Sequence, residues 1–228
     1  MTESLAVRLE EVKKRIERAA RAANRNPDEI TLIAVSKTHP ASTVREAIAA
    51  GAEVFGENKV QEAEAKIGEI GREACEWHLI GHLQSNKARR AVRLFDAIHS
   101  VDSVDLAARL ERICKEEGRG ELQVFAQVDL GGEATKNGIS ENNLPKLIEF
   151  LRSCEHLKIA GLMTLPPFFE DVERVRPFFR RLRELRDRFV PGGALSMGMS
   201  HDFAAAVEEG ATHVRVGTAI FGERNYRR

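Results

Sequence analysis

The chain carries no surplus of either charge: 35 Lys and Arg stand against 35 Asp and Glu over 228 residues. A global field that would steer it to nucleic acid or an anionic bilayer is therefore missing. Cysteine is scarce too. Cys75, Cys114 and Cys154 lie 39 and 40 residues apart, without a CxxC pair to clip a metal or form a redox couple, and they read as buried or idle thiols. No apolar run is long enough to span a bilayer, and the opening MTESLAVRLEEVKKR lacks the continuous apolar stretch of a secretory signal. A soluble, cytoplasmic protein is expected. Linkers, low-complexity tracts and internal duplications are absent as well, so a single domain over 1–228 is expected. What the composition does supply is a core: 43% of the residues are hydrophobic and 31% charged, the balance of a folded globular chain.

The apolar residues Leu5, Leu9, Val12, Ile16, Ala19 and Ala23 step by four and three, as on an amphipathic helix, and Asn24 to Pro27 ends it. Short β-branched runs follow at Thr31 to Ser36, Glu53 to Phe55, Trp77 to Ile80, Ala97 to His99, Leu122 to Val128, Lys158 to Gly161, Ala194 to Met197 and His213 to Val216. Between them lie stretches of helical periodicity, among them Ala41 to Ala50, Val104 to Glu116, Leu144 to Leu151 and Val172 to Phe189. Strict alternation predicts parallel strands with right-handed crossovers. Eight such units fit a closed (β/α)8 TIM-type barrel preceded by an extra helix. A doubly wound open sheet would normally place a glycine-rich turn after its first strand, where this chain has Ser36-Lys37-Thr38-His39-Pro40. The charge run RRLRELRDR, Arg180 to Arg188, keeps Leu182, Leu185 and Phe189 at apolar spacing and reads as a solvated helix face.

Reactive groups of such barrels collect where the strands end. Lys37 closes the first strand on the same side as Ile33 and Val35, where poor hydration would lower its pKa and suit attack on an aldehyde. Taken alone, a strand-end lysine reads more readily as a solvated surface residue. Gly198 and Ser200 precede one helical segment and Gly217 and Thr218 another, so N–H groups and two hydroxyls could face one phosphate dianion. Equally, Ser200 could only cap its helix and Gly217 only relieve a turn. Arg215 falls on the inward side of His213-Val214-Arg215-Val216, where it could meet the ring nitrogen of a pyridine cofactor or form an ion pair with a carboxylate such as Asp129. His78 and His82 are four apart but not on a helix, and no third ligand has diagnostic spacing, so metal binding is disfavoured.

Together, LIAVSKTHP around Lys37, FGENKVQEA, WHLIGHLQSNKAR, KNGIS, GLMTLPP, LSMGMSHDFAAAVEEG and VRVGTAIFG resemble the YggS/PROSC family, the pyridoxal phosphate homeostasis proteins. The likeness runs in order from the N-terminal helix to Gly222. It implies a barrel similar to the N-terminal domain of alanine racemase, with Lys37 bonded to pyridoxal 5′-phosphate (PLP) as an internal aldimine. It also implies Ser200, Gly217 and Thr218 at the phosphate, Arg215 near the pyridine nitrogen, and Asn58 lining the pocket. Family members are thought to bind, buffer and deliver the cofactor without catalysis, with apo PLP-dependent enzymes as transient partners. Two positions depart from the pattern: His201, where an acidic or small residue is common, and Asp129, where many relatives carry Asn. A charged His201 near the phosphate would make cofactor affinity fall as pH rises through the histidine range.

Three functions are therefore compared. A non-enzymatic carrier leads. A racemase-like enzyme would need a second acid or base across the ring from Lys37, a place for which the only tyrosine, Tyr226, is poorly suited and for which His82 or His201 could substitute. A cofactor-free Schiff-base aldolase would use the same amine and anion site. No exposed heptad or edge strand marks an interface, and without the second domain that supplies the usual racemase dimer contact a monomer is expected.

Overall fold

The apolar stripe that begins at Leu5 forms helix α1 (Leu5–Ala22), its start capped by the Ser4 hydroxyl, which accepts the Val7 N–H. The computed structural model describes residues 3–132 and 137–223. Leu5, Leu9, Val12, Ile16, Ala19 and Ala20 of α1 are buried, so the stripe closes at Ala20 and Ala23 is only half-buried.

Eight strands follow: β1 (Thr31–Val35), β2 (Val54–Glu57), β3 (Glu76–Leu79), β4 (Ala97–Val101), β5 (Leu122–Gln127), β6 (Leu157–Met163), β7 (Ala194–Met199) and β8 (His213–Val216). Each crosses to the next through helix: α2 (Ala41–Ala49), α3 (Val60–Ile70), α4 (Ala88–Leu94), α5 (Val104–Glu116), α6 (Leu144–Ser153), α7 (Arg176–Phe189) and α8 (Phe203–Glu208), with a short α9 (Thr218–Phe221) after β8. All pairings are parallel and in chain order, and β8 closes on β1 with Ile33 opposite Arg215. This is the expected eight-stranded TIM barrel with an extra N-terminal helix, and α1 packs beside α8 and α9. The segment Val172 to Phe189, expected as one helix, divides into a 3-10 turn (Val172–Arg174) and α7. Pro177 is the cause: it has no N–H to give a preceding turn and belongs in the first turn of a helix.

Strand alternation sorts the residues into two layers. Phe55, Trp77, Leu79, Ile98, Val124, Leu162, Leu195 and Val214 face outward and join the helices in the main core. Ala97, Phe125 and Met163 form a separate apolar cluster inside the barrel. Branched apolar side chains usually fill such an interior. Here a string of buried polar residues, His78, His99, Ser196 and Arg215, shares it.

The charge run on α7 is occupied by partners. Arg180 reaches Glu209, Arg181 reaches Glu141 and Glu184, and Arg186 reaches the Gly193 carbonyl. Cys114 is buried, while Cys75 and Cys154 are half-buried. Burial pushes their thiols up, Cys75 to about 12 and the other two to about 11, so all three stay protonated at neutral pH. Among the described residues, no helix is long and apolar enough to cross a membrane.

Candidate functional site

At the C-terminal rim of the barrel, β1 runs into the turn that carries Lys37. Thr38 in this turn has φ +70°, a left-handed conformation that a β-branched residue seldom takes. The neighbours of Lys37 on both sides are tied down. Ser36 is buried and donates its hydroxyl to Glu57 at 2.6 Å, and its carbonyl accepts from Lys66 Nζ at 2.7 Å. Thr38 gives its N–H to the Glu62 carboxylate, which Lys66 also holds at 2.8 Å. One cluster, the buried Glu57 and Lys66 with the half-buried Glu62, thus fixes the backbone around Lys37. Lys37 itself is half-buried, less enclosed than its apolar strand suggested.

Asn58, half-buried after β2, lines a groove at the rim with Gly81, His82 and Lys87. His82 stands 3.7 Å from Asp102, whose carboxyl burial raises. Across the mouth, β7 and β8 deliver the remaining residues. The Ser200 hydroxyl accepts the Gly217 N–H at 3.1 Å and the Ala219 N–H at 3.4 Å, which joins the two loops. Ser200 therefore caps α9, not the helix that follows it in sequence. The start of α8 has no side-chain cap: the Asp202 carboxylate turns back to β7, where its Oδ1 accepts the Met199 N–H at 2.6 Å. Of the two helix starts expected at the anion, that of α9 has the Gly217 and Ala219 N–H groups on Ser200, with Thr218 exposed there, and that of α8 carries no side-chain cap. Gly198 is needed for this arrangement, because its φ is +90° and a Cβ would sit 2.5 Å from that of Ala206. Gly217 lies close to β1, where a Cβ would approach the Val35 carbonyl oxygen to 3.3 Å. The His39 ring, 5.0 Å from that of Phe221, closes the Lys37 loop against α9.

Arg215 is 3% exposed and takes neither an Asp129 partner nor any other ion pair among the described residues. It donates to Ser196 Oγ at 2.6 Å and to the Thr164 carbonyl at 2.9 Å. Burial lowers its pKa to about 10, which leaves it charged at neutral pH. Asp129 instead accepts the N–H groups of Gly131 and Gly132. His201 is exposed, and its ring leans on Phe168 and bonds to the Glu170 carbonyl at 3.1 Å. The rim thus carries a primary amine, a buried guanidinium, and a hydroxyl with N–H donors.

The sequence matches the family described as "Alanine racemase, N-terminal domain" over residues 7–225. It is 43% identical over 224 residues to the "Pyridoxal phosphate homeostasis protein" of Aquifex aeolicus, covering 96% of this chain and 98% of the relative. The protein of that name from Pseudomonas aeruginosa is 44% identical over 224 residues, with 98% and 97% covered. This chain belongs to the pyridoxal phosphate homeostasis protein family. Among solved structures, PipY of Synechococcus elongatus with PLP bound superposes with a TM-score of 0.79 at 43% identity, covering 91% of this chain and all of that one.

Within this homeostasis-family barrel, the closure of β8 on β1 brings Lys37, Ser200, Arg215 and Gly217 to one rim, and Asn58 flanks it one strand away. Two groups escaped the sequence reading: the Glu57–Lys66–Glu62 cluster and the interior string behind Arg215. The second had a signal, since strand alternation alone turns His78, His99 and Ser196 inward. His78, weighed as a metal ligand with His82, belongs to that string. Among the described residues no group of three His, Cys, Asp or Glu side chains is arranged to hold a metal. Tyr226 and Lys136 of the KNGIS segment lie outside the described residues.

Proposed function

We propose that this chain is a PLP carrier of vitamin B6 homeostasis, which holds the cofactor on Lys37 at the barrel mouth and surrenders it to apo-enzymes without transforming a substrate of its own. The observation that carries this reading is the donor set assembled by the β1–β8 closure, and its chemistry fits the group. The Lys37 amine suits the aldehyde carbon, the Arg215 guanidinium the ring nitrogen, and Ser200 with the Gly217 and Thr218 backbone the phosphate. Asn58, in a groove with His82 and Lys87 one strand from Lys37, would flank the ring. The bound aldehyde supplies an electrophilic carbon that condenses reversibly with amines. Lys37 takes it with loss of water and gives it up to water or to another amine. Arg215 carries a permanent proton, so it donates to the ring nitrogen and leaves that nitrogen without a proton of its own. Such a ring is a weaker electron sink than one paired with Asp, which suits holding over turnover.

Family membership and the naming of the bacterial relatives support the reading. PLP titrated into the protein is expected to give the absorption of an imine, and borohydride to fix the label on Lys37. A band that persists in Lys37→Ala would overturn the assignment. Purified apo-enzyme is expected to recover activity faster from the loaded protein than from free PLP at matched concentration. Optical rotation with L-alanine is expected to stay unchanged, and sugar phosphates to remain uncleaved. Racemisation would move the protein into the enzymes.

A further inference from the structure

A line of hydrogen bonds crosses the barrel interior from the mouth to the opposite end. Arg215 Nη1 lies 2.6 Å from Ser196 Oγ, which is 2.8 Å from His99 Nδ1. His99 Nε2 is 3.0 Å from His78 Nδ1, and His78 Nε2 is 2.8 Å from Glu76 Oε1. Glu76 is the first residue of β3, at the N-terminal end of the barrel. Its side chain is 48% exposed and lines a cavity there of about 520 Å³, and the hydrogen bond from His78 holds its carboxyl below the ordinary value.

The direction of every bond in this line follows from what each atom can do. A guanidinium only donates, so Ser196 Oγ accepts from Arg215; an ionised carboxylate only accepts, so His78 Nε2 donates to Glu76. A neutral imidazole has one donor and one acceptor. His78 Nδ1 therefore accepts from His99 Nε2, and His99 Nδ1 accepts the Ser196 hydroxyl proton. No donor faces a donor anywhere. Each neutral member turns its lone pair toward the cation and its hydrogen toward the anion, so both ends hold the chain in one direction.

The surroundings of His99 favour its neutral ring. Burial lowers His99 well below the ordinary histidine value, with further lowering from His78, His213 and Arg215. His213, on β8, faces both rings at 6.0 and 6.3 Å, and Phe125 of β5 stacks on His99 at 4.0 Å. Asp202 attracts Arg215 through space without touching it.

We propose that Ser196, His99, His78 and Glu76 form a positioning relay that fixes the orientation of the Arg215 guanidinium beneath the mouth and is itself held in one direction by a carboxylate at the far end of the barrel. For the cofactor, and resting on the function proposed above, the relay aims the second face of Arg215 at the ring nitrogen. Affinity for PLP then depends on a carboxylate that touches neither the cofactor nor its ligands.

Nitrogen-15 NMR of the histidine rings and of Arg215 in the cofactor-free protein reads the relay directly. His99 and His78 are expected with Nε2 protonated and Nδ1 bare at pH 7, and the Arg215 Nη protons as slowly exchanging signals. Glu76→Ala removes the anchor, so an Nδ1-protonated population of His99 is expected and the Arg215 signals broaden. Glu76→Gln, which keeps an accepting oxygen for His78, is expected to restore both. Should Glu76→Ala fail to fold, Ser196→Ala cuts the line at its other end and is expected to broaden Arg215 while leaving the His78 tautomer alone. Wild-type His99 protonated on Nδ1, or Arg215 signals indifferent to both variants, would overturn the relay. In the loaded protein, Glu76→Ala and Ser196→Ala are expected to weaken PLP binding about fivefold, the net worth of one hydrogen bond, with Lys37 still labelled by borohydride. If the wild type takes up no PLP, the proposed function fails, and the ring signals still decide the relay.

Discussion

Lys66 Nζ meets Glu57 Oε1 at 2.7 Å with the lysine side chain 7% exposed and the glutamate fully buried. A charge pair so far from water is costly to form and more costly to break, since the survivor is left without a partner in a poorly polarisable place. This pair also holds the backbone of Ser36 and, through Glu62, that of Thr38. Stability and the aim of Lys37 therefore share one cluster.

Lys66→Met is expected to cost about 3 to 5 kcal/mol in urea unfolding, because it strands the Glu57 carboxylate. Burial already raises Glu57 despite Lys66, and its second oxygen has no hydrogen-bond partner. The double variant Lys66→Met with Glu57→Gln is expected to recover much of the loss. A cost below about 1 kcal/mol for the single change, the range of an exposed pair, would show that the cluster is not structural.

Ser200→Ala removes the hydroxyl that ties the loop after β7 to the start of α9. PLP binding is expected to weaken about tenfold, as for a lost hydrogen bond to a charged group. Pyridoxal, which lacks the phosphate, is expected to bind wild type and variant alike. Equal losses for both vitamers would mean that Ser200 acts on folding rather than on the anion.

Acid should destabilise the fold before the carboxylates titrate. Burial holds His99 well below its ordinary range and His213 at about 4. From an unfolded value near 6.5 downward, the unfolded chain takes up protons that the folded one refuses, so stability is full above that value and falls as pH drops. His213 alone is worth about 3 kcal/mol by pH 4. Urea midpoints at pH 7, 5.5 and 4.5 check this, and His213→Gln is expected to flatten the slope.

His201 tests the role of a nearby positive charge. Its ring is held by the Glu170 carbonyl and Phe168, next to Ser200 in the chain. The ratio of PLP affinities, wild type over His201→Asn, is expected to exceed one at pH 5.5 and to approach one at pH 8. A ratio that does not change with pH would remove His201 from the site.

The barrel was legible because each strand is a β-branched run set off by helical periodicity, and the residues that end the strands were bound to meet at one rim. That logic located Lys37, Ser200, Arg215 and Gly217. It could not divide labour among them. Sequence order suggested that Ser200 serves α8, yet Ser200 turns to α9 and the start of α8 is left without a side-chain cap. Asp129 looked like a counter-ion for Arg215, but a glycine pair in its own loop claims it. Glu57 and Lys66 were hidden because nothing in a strand followed by a helix says that a carboxylate on its outer face will be covered by a lysine nine residues on. The interior line needed the sheet's closure, since Ser196 stands 97 residues from His99 in the chain.

The pairing of β8 with β1 sets a timetable as well as a shape. Lys37 follows β1 and Arg215 lies on β8, so a chain translated only as far as β7 holds the amine without the neighbours that the sheet's closure gives it. The rim where β1 and β8 end is therefore assembled only after β8 has left the ribosome, however early its first strand was made.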